Sequence, residues 1–123
     1  MAVKIKRATL EAIAQAARNL YPNEFFALLG SSGKNGIIDE IVMIPSIYGK
    51  QHASFRLDLV PVDFSIKGSA HSHPGPAATP SRGDLRAFAK TGEIHLIISY
   101  PFNIENARMF DVKGREIEWS VAE

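Results

Sequence analysis

Cysteine is absent from all 123 residues. That excludes disulfides, thiolate metal sites and any mechanism built on a cysteine nucleophile. Long apolar runs are missing too. No segment approaches the roughly 20 apolar residues that cross a bilayer, and the opening Met-Ala-Val-Lys-Ile-Lys-Arg lacks the apolar stretch of a secretory signal. A cytoplasmic protein with no membrane partner is the expectation. Charge of one sign is not in excess either: 14 Lys and Arg face 13 Asp and Glu, and the cations are scattered rather than striped, which speaks against nucleic acid as a partner. There is no repeat, linker or low-complexity tract. At this length, with 46% hydrophobic residues, one domain over residues 1–123 with a real core is expected.

What is present concentrates in residues 71–84: His71-Ser-His-Pro, six further residues, then Ser81-Arg-Gly-Asp84. The run from Phe64 into the histidines suits a strand, so His71 and His73 share a face with their roots roughly 7 Å apart. Pro74 ends that strand because it has no N–H for a ladder. The Pro-rich loop 74–80 turns the chain back, and Asp84 falls in the first turn of a helix. Two imidazoles and one carboxylate form a three-ligand set typical of catalytic zinc, with a fourth position left for water. A plainer reading stands beside it. His-x-His pairs are common without a metal, and Ser81-x-x-Asp84 is also a capping box. The two readings agree on where Asp84 sits.

The rest reads as strands interleaved with two helices. Ala2 to Lys6 reads as a short first strand. Thr9 is expected to cap a helix through about Tyr21 with an apolar stripe of Leu10, Ile13, Ala14, Ala17 and Leu20, stopped by Pro22. Strands are expected from Glu24 to Leu29, Ile37 to Ile44, Ser54 to Leu59, Ile94 to Tyr100, Ala107 to Val112 and Ile117 to Val121. Val60 to Lys67 is ambiguous between helix and strand. A second helix from Ser81 to about Thr91 is expected to end at Gly92 as its C-cap. The pattern predicts an α/β chain: one mixed β-sheet with helices packed on it.

The array His71-Ser-His-Pro-x6-Ser81-x2-Asp84 resembles, position for position, the signature of the JAMM (MPN+) zinc metalloproteases, and in particular their short archaeal and bacterial members. The resemblance extends along essentially the whole chain. It implies the compact JAMM/MPN fold, similar to that of cytidine deaminases. It implies one Zn2+ per chain on His71, His73 and Asp84. It also implies an upstream glutamate as general base, which falls on Glu24 in Tyr21-Pro-Asn-Glu-Phe-Phe. Glu24 is the only charged residue between Arg18 and Lys34, so partial desolvation would lift its pKa toward a useful value. By itself it would read as an exposed carboxylate at a strand end. Ser81, by the same resemblance, helps hold the tetrahedral oxyanion.

The implied activity is hydrolysis, by a metal-activated water, of peptide or isopeptide bonds after the carboxyl-terminal tail of a ubiquitin-like protein. Processing of a ubiquitin-like sulfur-carrier tail is the alternative within the same family, and a metal-free scaffold module is disfavoured by the complete ligand set. A zinc nucleobase deaminase would need cysteine ligands. Residues Tyr48 to Asp58 are expected to offer the tail a pairing edge. Ser72 should point away from the histidines and pack. His95 reads as a satisfied core histidine, His52 as a loop residue, and Trp119 as carboxyl-terminal core.

Overall fold

A computed structural model of the protein describes residues 3–33, 35–43, 65–75 and 77–123. The Ser54 to Leu59 strand, the Tyr48 to Asp58 edge and His52 lie outside them. The first strand β1 (Val3–Lys6) runs directly into helix α1 (Arg7–Leu20). The helix begins two residues before Thr9, which is buried inside it; Lys6, in extended conformation and without a side-chain cap, precedes the first turn. Lys6 donates its N–H to the Ile38 carbonyl at 2.8 Å, so a strand neighbour rather than a cap fixes the helix entry. The expected stripe holds for Leu10, Ile13, Ala14 and Ala17, which are buried, while Leu20 at the helix end is exposed.

Strands β2 (Phe26–Gly30), β3 (Glu40–Met43), β4 (Ile66–His73), β5 (Ile94–Ser99), β6 (Ala107–Phe110) and β7 (Glu116–Ile117) form one sheet in the order β3-β2-β4-β5-β6-β7. Only the central β4–β5 pair is parallel, and the sheet is mixed as the sequence implies. The expected last strand divides: β8 (Trp119–Ala122) leaves the sheet and pairs in parallel with β1. The fold class read from the sequence, α/β with helices packed on a mixed sheet, is the one observed.

Alternation along the central strands sorts the two cores. Ala70, Leu96 and Ile98 join Leu10, Ile13 and Ala17 of α1 on one face. Ile97 packs with Phe88 of helix α2 (Arg82–Phe88), Ala78 and Phe110 on the other. Because side chains alternate, the face that carries Ile97 also carries Ser69, His71 and His73. Gly68 is required where β4 enters this pair, since a Cβ there would lie 1.5 Å from the Ile94 carbonyl oxygen. Helix α2 stops at Phe88, short of Thr91. Gly92 is therefore not its cap; at φ +111° it makes the turn into β5, where a Cβ would meet the Lys67 carbonyl at 2.6 Å.

His95 is the core histidine the sequence suggests. Its Nδ1 lies 2.7 Å from Ser69 Oγ, its Nε2 3.0 Å from the Gly92 carbonyl, and its ring stacks on Phe88 with centroids 4.0 Å apart. Burial, helped by the neighbouring His71, pushes its pKa down to about 4 against the opposing pull of the Gly92 carbonyl. An unfolded chain therefore takes up this proton more readily than the folded one between pH 6.5 and 4. Stability is expected to fall across that window as pH drops, by an amount on the order of 3 kcal/mol. Urea unfolding of the metal-free protein at pH 7 and pH 4.5 should show the fall, and His95→Gln should reduce it. Equal pH dependence in the two proteins would remove His95 as the cause.

Candidate metal centre

Strand β4 delivers two imidazoles and the first turn of α2 delivers one carboxylate to the same point. His71 Nε2 lies 3.2 Å from His73 Nε2 and 3.2 Å from Asp84 Oδ1; His73 Nε2 lies 3.0 Å from Asp84 Oδ2. His71 and Asp84 are buried and His73 is half-buried. Donors at about 2.0–2.1 Å from a tetrahedral ion are separated by about 3.3 Å. The three side chains singled out in the sequence thus converge with the spacing such an ion requires, and they are the one group of this kind among the described residues.

Each ligand atom is oriented by a second contact. His73 Nδ1 lies 3.2 Å from the Ala77 carbonyl in the Pro-rich loop. With Nδ1–H donating there, the Nε2 lone pair would be available to a metal at the point where His71, His73 and Asp84 converge. The ring of His71 rests against Phe88, centroid to centroid 6.2 Å. Asp84 Oδ2 accepts the Ser81 N–H at 2.8 Å, and Ser81 Oγ accepts the Asp84 N–H at 3.1 Å. That reciprocal pair is the capping box anticipated from Ser81-x-x-Asp84. Capping and ligation are compatible, because the cap uses one lone pair of Oδ2 and the helix start favours a negative group.

Electrostatics follow from this packing. Burial alone would raise the Asp84 carboxyl, but hydrogen bonds from His71 and His73, the His71 charge and the Ser81 N–H hold it far below the usual carboxylate range. Burial opposes charge on His73, yet the bond to Asp84, the Ala77 carbonyl and the nearby carboxylates raise its pKa overall. Glu24 moves the other way. Burial lifts its pKa, His73 opposes the rise, and the Asp84 charge adds to it. Its Oε1 is buried without a hydrogen-bond partner among the described residues. An acceptor left unsatisfied in this way costs about 1–3 kcal/mol, a signal that the group serves something other than the fold. Glu24 stands two residues before β2 rather than at its first position, because the ladder with β4 starts only at Phe26, opposite His71.

Ser81 is exposed and its hydroxyl accepts the Asp84 N–H, which leaves its own O–H hydrogen to donate. If Ser81 is the oxyanion donor that the family resemblance implies, Ser81→Ala should lower turnover more than stability. Loss of the cap costs about 1 kcal/mol, whereas loss of an oxyanion donor raises the barrier by about 3–4 kcal/mol. Melting curves and per-molecule turnover separate the two. A collapse in melting temperature with turnover intact would leave Ser81 a cap only.

Two supports are not legible as function in the sequence. The Ala77 carbonyl that orients His73 is backbone and carries no side-chain signal. Ser72, expected to point away from the histidines and pack, is indeed buried, but its hydroxyl also accepts the Phe25 N–H at 2.8 Å. Its position between His71 and His73 was the available signal.

Comparison with known proteins agrees with this geometry. Residues 6–113 match the family of prokaryotic homologs of the JAB domain. A probable metalloprotease of Haloferax volcanii is 32% identical over 121 residues, covering 91% of this chain and 74% of that protein. A JAB1/MPN domain protein from Archaeoglobus fulgidus superposes with a TM-score of 0.81 at 34% identity, over 98% of this chain and 100% of that one. A structure described as JAMM, a metalloprotease-like zinc site in the proteasome and signalosome, gives a TM-score of 0.78 at 32% identity with both chains fully covered. A match over most of its length, with the His71, His73 and Asp84 cluster in place, makes this chain a member of the JAB/JAMM (MPN) family.

Proposed function

We propose that this chain, acting as one JAMM/MPN domain over residues 1–123 in the cytoplasm, is a zinc-dependent metalloprotease. Its substrate is the carboxyl-terminal tail of a ubiquitin-like protein, cut at the peptide or isopeptide bond that follows the tail. The observation that carries this reading is the convergence of His71, His73 and Asp84 at 3.0–3.2 Å beside a glutamate whose buried oxygen has no partner among the described residues. A metalloprotease-like zinc site in one relative and a probable metalloprotease as another support it.

The donor set fits one zinc ion per chain: two neutral imidazoles and a carboxylate are borderline and hard donors of the kind zinc accepts, and three protein ligands leave an open position. When bound there, zinc supplies the Lewis acidity that makes water a competent nucleophile at neutral pH. The other roles belong to the chain. Glu24 accepts the proton of the attacking water at its carboxylate and returns it to the departing amine; its raised pKa suits both halves of that transfer. Ser81 Oγ donates to the oxygen that becomes negative as the carbonyl is attacked. The Ala77 carbonyl holds His73 in the tautomer that leaves Nε2 free.

The test is a panel of ubiquitin-like fusions and conjugates, sulfur-carrier forms included, incubated with the zinc-loaded protein with and without a chelator. Cleavage directly after the tail of at least one fold member, abolished by the chelator, is expected. Indifference to every tail, with unrelated peptides hydrolysed, would contradict the substrate class.

A further inference from the structure

The β2–β4 ladder runs in register from Phe26 opposite His71 to Leu29 opposite Gly68 and shifts only before Gly30. One step beyond it, Ser72 donates its N–H to the Phe25 carbonyl at 3.1 Å, as a continuing antiparallel pair requires. The return bond differs. The Phe25 N–H donates to Ser72 Oγ at 2.8 Å, so a side chain stands where the ladder would use the Ser72 carbonyl. Both residues are almost fully buried, Phe25 at 0% and Ser72 at 1% exposure, and water does not compete for the bond. Glu24 is the next residue along the chain.

The other end of the short segment is also tied. Tyr21 and Asn23 donate to the Ala17 and Leu20 carbonyls at 3.1 and 2.7 Å. The Tyr21 ring leans on Tyr100 with centroids 4.9 Å apart and meets Phe102 edge-on at 5.7 Å. Tyr100 in turn donates its N–H toward the His73 and Gly75 carbonyls, both at 3.1 Å. The Glu24 segment is therefore held at one end by Ser72 of β4 and at the other by α1 and by Tyr100, whose N–H is bonded to the His73 carbonyl.

We infer that Ser72 is a positioning residue: by bonding the Phe25 N–H from between the two ligand histidines, its hydroxyl bends the entry to β2 out of the ladder and fixes the Glu24 carboxylate relative to His71, His73 and Asp84. This inference rests on the proposed role of Glu24 as general base. Without the hydroxyl, the buried Phe25 N–H loses its acceptor. The backbone beside Glu24 is then free to shift while the metal ligands stay put.

The experiment compares Ser72→Ala, Ser72→Cys (close in volume but a weak acceptor) and Ser72→Thr, which keeps the hydroxyl on a strand-favouring residue. Ala and Cys should lower kcat by about tenfold to a hundredfold, the scale of a misplacement near 1 Å, with KM and zinc affinity within about twofold. Thr should restore most of the rate. In a Glu24→Gln background, Ser72→Ala should remove less than about twofold more, because residues acting as one unit are not additive. Equal losses in both backgrounds, a rate unchanged in Ala and Cys, or loss of zinc from those variants would overturn the inference. Amide exchange gives a readout that needs no substrate. The Phe25 N–H should exchange at least about tenfold faster in Ala and Cys than in Ser or Thr, as expected when a buried amide loses its acceptor. Unchanged protection refutes the clamp even if no tail is ever cut, and a protein that cuts no tail while showing the exchange difference fails on its substrate, not on Ser72.

Discussion

Glu24→Gln is expected to abolish turnover, by about a hundredfold or more, while leaving zinc bound. The amide keeps the size and polarity of the side chain but cannot accept the proton of water. Oε1 has no hydrogen-bond partner among the described residues, and burial disfavours the charge of the carboxylate. The neutral amide should accordingly melt at the same temperature as the wild type or higher. Zinc content, melting temperature and turnover measured on one preparation separate the possibilities. Full turnover in Glu24→Gln would take Glu24 out of the mechanism, and Glu40 or Glu93 would be tested in its place.

Asp84→Asn should have the second large effect, and of a different kind. The side chain joins His71, His73 and the Ser81 N–H, so removing its charge strips an anionic donor from the cluster and loosens the start of α2. Even contacts that only support a ligand are worth about 10–100-fold in metal affinity; loss of a ligand should exceed that, and zinc competition with a chromogenic chelator would read it directly. The pH dependence follows from the held-down carboxyl. In the metal-free protein Asp84 is far more acidic folded than unfolded. Its contribution to stability is complete above the ordinary carboxylate range near 3.8 and fades as pH falls through and below it. Asp84→Asn should be less stable at neutral pH and lose less on acidification. An Asn variant that binds zinc as the wild type does would show that the ligand set was misassigned.

These effects separate what was legible in the sequence from what was not. The spacing from His71 to Asp84 was readable because a strand, a proline stop and a capping box each leave side-chain signatures, and together they put three donors at one point. The mixed sheet and the face of α1 were readable for the same reason, since periodicity reports burial. Boundaries set by tertiary contacts were not. Thr9 has the chemistry of a cap, but Lys6 is already tied to the Ile38 carbonyl, so the helix starts earlier. Gly92 looks like a helix C-cap, yet α2 ends at Phe88, whose ring stacks on His95. The expected Ile117 to Val121 strand divides because β8 finds its partner in β1, at the far end of the chain, and no local pattern encodes that pairing. Ser72 was read as packing because its chemistry depends on a residue 47 positions away.

The most direct test of the central claim is turnover of a cleavable ubiquitin-like fusion by the metal-free protein as zinc is titrated in. No cleavage is expected without zinc, then a rise that breaks at about one zinc per chain, and a product ending at the last residue of the tail by intact mass. Full cleavage by the metal-free protein, or saturation by zinc with no cleavage at all, would contradict it.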